Sequence, residues 1–489
     1  MKMTRRWRTA AAVPAVVLAG QVLTPAALAT GNAGGHQGTT GVISTGVIST
    51  LAGGVGGPAK ATRVGVFVPC GVSYGNNHLY VANAGSVRSV NARTDWLTTP
   101  AGTGSPGPLG DAGPATAASV GIPPILGNCG ITLDHAGNLV ITDPGNERIR
   151  IVAHRTGTFY GQPMTAGHMY IAAGNGKHGF SGDGGPAASA ELNFPYGVAA
   201  DATGNLVIAD SSNNRVRVVA RSTGTFYGQP MTAGDIYTVA GDGAAGFSGD
   251  GGPATSASLN FPRGVAADGS GNLVIADGAS NRIRVVAGKA GTFYGRTMTA
   301  GDIYTVAGDG TAGFSGDGGP ATSAAFSSPE GVAVDGLGNL VIADTNNNRV
   351  RVVAATTGTF YGQPMTAGDV YTVAGDGTAG FSGDNGPAVS AEIHGAPGIA
   401  VDGSGNVLIT DTGSNRVRLV ATRTGTFYGQ SLTAGDIYTL AGNGTAGFSG
   451  NGGPAVGAEL SGPTGITVDG AGNVLFADMT NTQIREISG

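Results

Sequence analysis

The sequence predicts an all-β fold, a β-propeller of seven four-stranded blades. A turn aspartate recurs at Asp143, Asp210, Asp277, Asp344, Asp411 and Asp478, a constant spacing of 67 residues from 143 to 210 and onward. A weaker copy, residues 79–83 (LYVAN), lies 60 residues before Asp143 and makes seven copies in all. Repetition at a fixed period is the signature of a repeat architecture. The second observation is the pattern inside each copy. Residues 331–354 (GVAVDGLGNLVIADTNNNRVRVVA) hold three short apolar or alternating runs separated by turns rich in Gly, Asn and Asp, the pattern of short strands. The third observation is how the repeats are cut. The chain opens with a lone fourth-strand pattern, residues 47–53 (VISTLAG), and ends on a third-strand pattern, residues 483–487. The first can complete the blade that the last begins, which closes a ring and removes an open sheet edge.

Taken in order, residues 1–29 form a targeting segment: Lys2, Arg5, Arg6 and Arg8 precede an apolar run, and Ala27-Leu-Ala29 offers small residues for cleavage. Arg5-Arg6 is compatible with a twin-arginine route as well as the general one. Residues 30–46 are a flexible Gly/Thr-rich leader, and residues 47–489 are the propeller. In each blade an insertion such as residues 357–369 (TGTFYGQPMTAGD) follows the third strand and is expected to be a hairpin tipped by Gly-Gln-Pro. The fourth strand comes next, then a Gly-rich loop leading into the next copy. The 90 glycines fall at fixed repeat positions and so mark turns rather than disorder. The formal charge is −5, and removing the four cations of residues 1–29 brings it to about −9, which disfavours nucleic acid and anionic membranes as partners. No later stretch is apolar for long enough to span a bilayer.

Residues 329–335 (PEGVAVD), 338–344 (GNLVIAD) and 348–351 (NRVR) resemble NHL repeats, and the linker at residues 308–321 (GDGTAGFSGDGGPA) is similar to that of secreted bacterial NHL-repeat proteins. The resemblance spans nearly all of residues 47–487. It implies a propeller, and it implies functions that range from RNA-binding and protein-binding modules to a lyase acting on peptidyl-hydroxyglycine. The first copy, residues 71–90, departs most from the pattern, which keeps six blades plus a degenerate unit as the alternative.

Most positions repeat from copy to copy and serve what every blade needs. The residue before the first-strand Gly does not: in order it is Cys70, Cys129, Tyr196, Arg263, Glu330, Pro397 and Thr464. First strands line the channel of a propeller, so these residues are expected to ring one channel mouth. Tyr196, Arg263, Glu330 and Thr464, with His394 just outside the ring, are the candidate ligand-binding residues. Cys70 and Cys129, the only two cysteines, are expected to form a disulfide in an exported chain. The turn aspartates each meet an Arg five residues on, as in Asp344/Arg349 and Asp277/Arg282, which reads as blade structure. Asp183, Asp250, Asp317 and Asp384 sit in Gly-rich loops that could hold calcium, but Asn451 replaces the carboxylate in the last copy and no bidentate Glu follows. No cofactor is therefore expected. The paired aromatics Phe226-Tyr227, Phe293-Tyr294 and Phe360-Tyr361 are expected to pack between neighbouring hairpins. No two histidines stand at His-x-x-x-His spacing, and no nucleophile elbow is present. The functional expectation is a monomeric, secreted, non-enzymatic propeller that binds an extracellular protein, glycan or small ligand. The alternative is a channel-centred lyase or hydrolase in which His394 joins Glu330 and Tyr196.

Overall fold

The computed structural model describes residues 46–52, 59–60, 69–91, 94, 96–105, 109–122 and 130–489. The targeting segment, nearly all of the leader and Cys129 lie outside these residues, and so does the expected Cys70–Cys129 bond. Blade five shows the common plan. An inner strand, Pro329–Val334, pairs with Leu340–Asp344, which pairs with Arg349–Val353, which pairs with Asp369–Ala374, all antiparallel. The sequence predicts four strands; the structure adds a two-residue fifth, Gly319–Pro320, on the outer edge. It comes from the loop arriving from blade four, so each such crossover covers the edge of the sheet it enters.

The ring closes as the strand inventory predicts. Ile48–Ala52 pairs with Gln483–Ile487 through Ile48 and Ile487, Ser49 and Glu486, and Thr50 and Arg485. Asn451, which stands where other blades carry a loop Asp, donates its amide to the Thr50 hydroxyl at 2.7 Å and so helps to hold the closing strand. The divergent first copy is a complete blade built from Pro69–Gly75, His78–Asn83, Ser86–Asn91 and Trp96–Ala101. There are seven blades, not six. Seven apolar cores lie one between each pair of neighbouring blades, including one joining Leu51, Leu475 and Ile484 of blade seven to Val72, Leu79 and Val81 of blade one.

Two polar devices shape every regular blade. The first fixes the turn between inner and second strands. The carboxylate of Asp335 accepts the backbone N–H groups of Leu337 and Asn339, the Asn339 amide and the Tyr361 hydroxyl, all at 2.8–2.9 Å. The tyrosine is the second member of the aromatic pair, and it is buried. Tyr361 and Gly362 both have positive φ, 50° and 74°, the geometry of a tight hairpin turn. The tip is therefore Tyr-Gly, and the Gln363 and Pro364 expected there belong to the returning strand Gln363–Met365.

The second device is a fully buried arginine in the third strand: Arg150, Arg217, Arg284, Arg351, Arg418 and Arg485. Arg351 donates to the carbonyls of Ala325 and Ser315, each at 2.8 Å, and to Asp317 at 2.6 Å. Asp344 lies 3.8 Å from the same guanidinium and accepts the Ser327 N–H at 2.8 Å. The ion-pair assignment from sequence needs correcting here. Arg349 is the cross-strand neighbour of Asp344, but its guanidinium donates to the carbonyls of Asn347 and Asp376 and lies over the ring of Phe314 at 3.5 Å. The ionic partner of the turn Asp is two residues further on, at the position that the alternation of the strand turns inward. The loop aspartates weighed as calcium ligands are the outer partners of these arginines: Asp183, Asp250, Asp317 and Asp384 sit 2.6–2.8 Å from Arg217, Arg284, Arg351 and Arg418.

Burial pushes the carboxyls of Asp210, Asp277 and Asp344 up to about 6 from the usual 3.8, against the pull of their hydrogen bonds and of the arginines. Folded carboxyls above the unfolded value take up protons first in the native state. Their unfavourable contribution to stability is present above pH 6 and is relieved as pH falls from 6 towards 4. In a carbon-13 titration of labelled aspartate, these three should give midpoints near 6; midpoints below 4 would show that the arginines hold them ionised.

Two further outcomes follow from this architecture. Arg351→Ala leaves two carboxylates and a loop without their buried cation and should destabilise by about 3–5 kcal/mol. Arg349→Ala should cost about 1 kcal/mol, the value of a partly exposed cation–π contact. Urea unfolding of both checks the order, and equal losses would refute it. A chain beginning at residue 46 should melt like the longer one, whereas a chain beginning at residue 53 loses the closing strand with its buried Ile48 and should melt many degrees lower by calorimetry.

Candidate functional site

In four blades the position that varies is held by a β-bulge. In blades one, three, five and seven the ladder between first and second strands slips at Pro69/Gly71, Pro195/Gly197, Pro329/Gly331 and Pro463/Ile466. The bulged residues include Cys70, Tyr196, Glu330 and Thr464. A bulged residue leaves the ladder and points independently of the strand's alternation, which explains why the blade imposes no residue type there.

Among the described residues, Tyr196 and Arg263 come together. The ring of Tyr196 is stacked against Phe194 at 6.0 Å and meets Phe261 edge-on at 5.7 Å. The Arg263 guanidinium lies over Phe261 at 5.2 Å. His178 continues the row, 6.3 Å from Phe194. All three aromatic side chains and Arg263 are half-buried, and His178 is exposed. Burial pushes the Tyr196 hydroxyl above its usual value, and the Arg263 charge opposes this; the phenol is therefore a neutral donor at ordinary pH. Phe194 and Phe261 have φ of 49° and 52°, a costly conformation for an aromatic residue. It is held from behind by a hydrogen bond from each backbone N–H: Phe194 to the Glu147 carboxylate at 2.6 Å and Phe261 to the Asn214 side-chain oxygen at 3.0 Å.

Glu147 stands where blades three to six carry Asn214, Asn281, Asn348 and Asn415. It is 2 % exposed and its other oxygen lies 3.1 Å from His178. Burial raises its pKa, the Phe194 N–H and His178 lower it, and nearby Asp143 raises it further. This corner of the mouth thus combines a row of rings, a guanidinium and an imidazole–carboxylate pair. It can stack a flat or ring-shaped ligand and offer directed donors to an acceptor group.

The other candidates are placed differently. Glu330 opens the inner strand of blade five, and its side chain lies outside the described residues. Thr464 is buried, with a hydroxyl that has no hydrogen-bond partner. His394 stays with its own blade: its N–H donates to Asp411 at 2.9 Å, and its exposed ring covers Gly413, where a Cβ would collide with it. It occupies the position of Asn193, Asn260 and Ser461, whose N–H groups make the same bond to Asp210, Asp277 and Asp478. Phe194, Phe261, His178 and Glu147 escaped the sequence reading. The signal was available, because each departs from its repeat partners: Phe194 and Phe261 face Ser328, Gly395 and Gly462, and His178 faces Ala245, Ala312, Ala379 and Ala446. Among the described residues no three of His, Cys, Asp and Glu are grouped as a metal would require, and no helix is long and apolar enough to cross a membrane.

The channel itself opens at the far end. A cavity of about 500 Å3 is lined by the final residues of the inner strands from all seven blades, among them Tyr74, Thr132, Val198, Val334, Val401 and Val468.

The NHL-repeat family model matches residues 192–219, 259–286 and 326–353, which cover the inner three strands of blades three, four and five. The chain carries NHL repeats in a seven-bladed propeller. Among curated proteins it is similar to teneurin-1 of Homo sapiens, 29% identical over 269 residues that make up 49% of this chain and 8% of teneurin-1. It is also similar to the chloroplastic protein SUPPRESSOR OF QUENCHING 1 of Arabidopsis thaliana, 24% identical over 316 residues, 64% of this chain and 26% of that protein. The match thus spans only a minor part of the length of these relatives. Among solved structures, a selenomethionine-substituted virginiamycin B lyase from Staphylococcus aureus aligns with a TM-score of 0.48 and 13% identity over 87% of this chain and 98% of its own. An auxiliary nutrient binding protein from Bacteroides ovatus aligns with a TM-score of 0.43 and 11% identity over 90% of this chain and 76% of its own.

Proposed function

We propose that this propeller is an exported binding module whose recognition surface is the channel mouth where the inner strands begin, centred on Tyr196 and Arg263. One observation carries the reading: residues that break the repeat converge on one sector, where Phe194, Tyr196 and Phe261 form a row beside Arg263. A structural requirement would be met identically in each blade. Here blades three and four place Phe194 and Phe261 at a turn position where blades five to seven carry Ser328, Gly395 and Gly462, the positive φ being common to all five. Half-buried rings flanked by a guanidinium suit an extracellular glycan, peptide or small molecule that presents a ring or apolar face together with a carboxylate.

The test is a thermal-shift screen of oligosaccharides, peptides and small acids against the purified chain, since a ligand that binds only the native state raises its melting temperature. Compounds that raise it should lose their effect in Tyr196→Ala and Arg263→Ala, with affinity falling at least tenfold by calorimetry, as expected for a lost charge-assisted contact. They should keep it in Arg282→Ala, whose guanidinium lies over Phe247 in a turn. Normal binding by both mouth variants would place recognition elsewhere.

A further inference from the structure

At the opposite end of the molecule a second concavity, of about 420 Å3, lies between blades five and six. Its floor is Val334 and Val401, which also belong to the wall of the channel cavity, so the two spaces adjoin. One side is Phe360 of the blade-five hairpin together with Leu337 at the tip of the blade-five turn. Leu337 is 66 % exposed, the most exposed of the large apolar side chains among the described residues. The other side carries Arg423 of blade six. Its exposed guanidinium lies over Phe427 at 5.4 Å and donates to the Ser404 hydroxyl at 3.3 Å.

The leucine is not a repeat feature, and the arginine recurs once, as Arg155 of blade two, which lies over Phe159 in the same way. At the position of Leu337 the other blades carry Ala136, Thr203, Ser270, Ser404 and Ala471; at the position of Arg423 they carry Arg155, Ser222, Lys289 and Thr356. The groove between blades six and seven has the same backbone and about 350 Å3, but Ser404 stands there in place of the leucine. Among the described residues, only between blades five and six does a large apolar wall face an arginine across the groove. Leu337 is not an isolated exposed side chain: with Phe360, Val334 and Val401 it lines one continuous concavity, and it is such a contiguous apolar surface, not a single leucine, that marks a binding groove.

We infer that this groove is a binding site for a small amphiphile with an apolar body and a single carboxylate, a medium-chain alkyl acid being the simplest form. The apolar body lies along Leu337, Phe360, Val334 and Val401 towards the channel, and the carboxylate meets the Arg423 fork. The volume falls within the range of small-ligand sites. Two carboxylates, Asp335 and Asp402, also line the groove, but each oxygen already accepts two hydrogen bonds from turn N–H groups, an Asn amide or a Tyr hydroxyl. They are therefore saturated as acceptors. Arg423 is the wall residue whose donors are turned to solvent, and a guanidinium held over a ring is oriented for bidentate contact.

The experiment is calorimetric titration of the full chain with hexanoate, octanoate and octanol. Octanoate should bind saturably at one site and roughly tenfold tighter than hexanoate, the increment expected for two further buried methylenes. Leu337→Ser installs the residue of blades four and six and should weaken octanoate at least tenfold. Arg423→Gln should weaken octanoate at least tenfold and leave octanol unchanged. Tyr196→Ala should change none of these values, so failure here is read separately from failure at the channel mouth. Unsaturable octanoate uptake, equal octanoate affinity in the unaltered chain and Leu337→Ser, or equal effects of Arg423→Gln on octanoate and octanol would each overturn the assignment.

Discussion

The buried arginine of the third strand is the interaction on which the crossovers between blades depend. A guanidinium without solvent contact must be matched by acceptors in fixed places, because an uncompensated buried charge costs several kcal/mol. Arg217, Arg351 and Arg418 meet this demand alike, with two loop carbonyls, a loop Asp and the turn Asp of their own blade. The acceptors come from the segment that arrives from the preceding blade. One side chain per blade therefore ties down the Gly-rich part of a long crossover, whose second half is anchored by buried apolar residues such as Ala321, Ala324 and Phe326. The crossover also starts tight against the backbone of the blade it leaves: Gly308, at φ 96°, passes so close to the Asn281 carbonyl that a Cβ would collide with it.

Blade one shows what happens where the charge pair is absent. Asn83 holds the place of the turn Asp and bonds to the Ser86 hydroxyl at 3.0 Å, while Arg88 turns to the Thr99 hydroxyl. Its apolar faces still pack on both neighbours. The ring is thus closed by hydrophobic faces, and the ionic device sets the loops around them. The closing strand adds its own substitution, with Asn451 turned from an arginine partner into a partner of Thr50.

The two ends of the molecule answer to different constraints. Where the inner strands begin, a β-bulge frees one residue from the ladder in blades one, three, five and seven, and at this end blades two to four assemble rings and charges. Where the inner strands end, the Asp–Asn–Tyr network locks the turn in blades two to six, so its exposed tip is the place where a residue can change without cost to the blade. Leu337 is such a tip. Both candidate sites therefore occupy positions at which the repeat is permissive, and both are confined to a few blades.

The sequence by itself determined the four-strand plan of the blade, its repeat and the closure, and left six against seven blades to the structure. Each is a matter of local periodicity: the two-residue alternation of strands, the Gly and Asn of turns, and the 67-residue spacing of Asp143 to Asp478. It also marked Tyr196 and Arg263, because a position that varies inside an otherwise regular repeat is visible without coordinates. Only the tertiary structure decided which arginine neutralises Asp344. An offset of five names the neighbour across the turn, whereas the inward-facing Arg351 is selected by the pleat of the strand and the loop packed above it. In the same way, the meeting of Glu147, His178, Phe194 and Tyr196 depends on the crossover between blades two and three folding back over a turn of blade two, an approach set by how the two blades pack, which no stretch of sequence encodes alone.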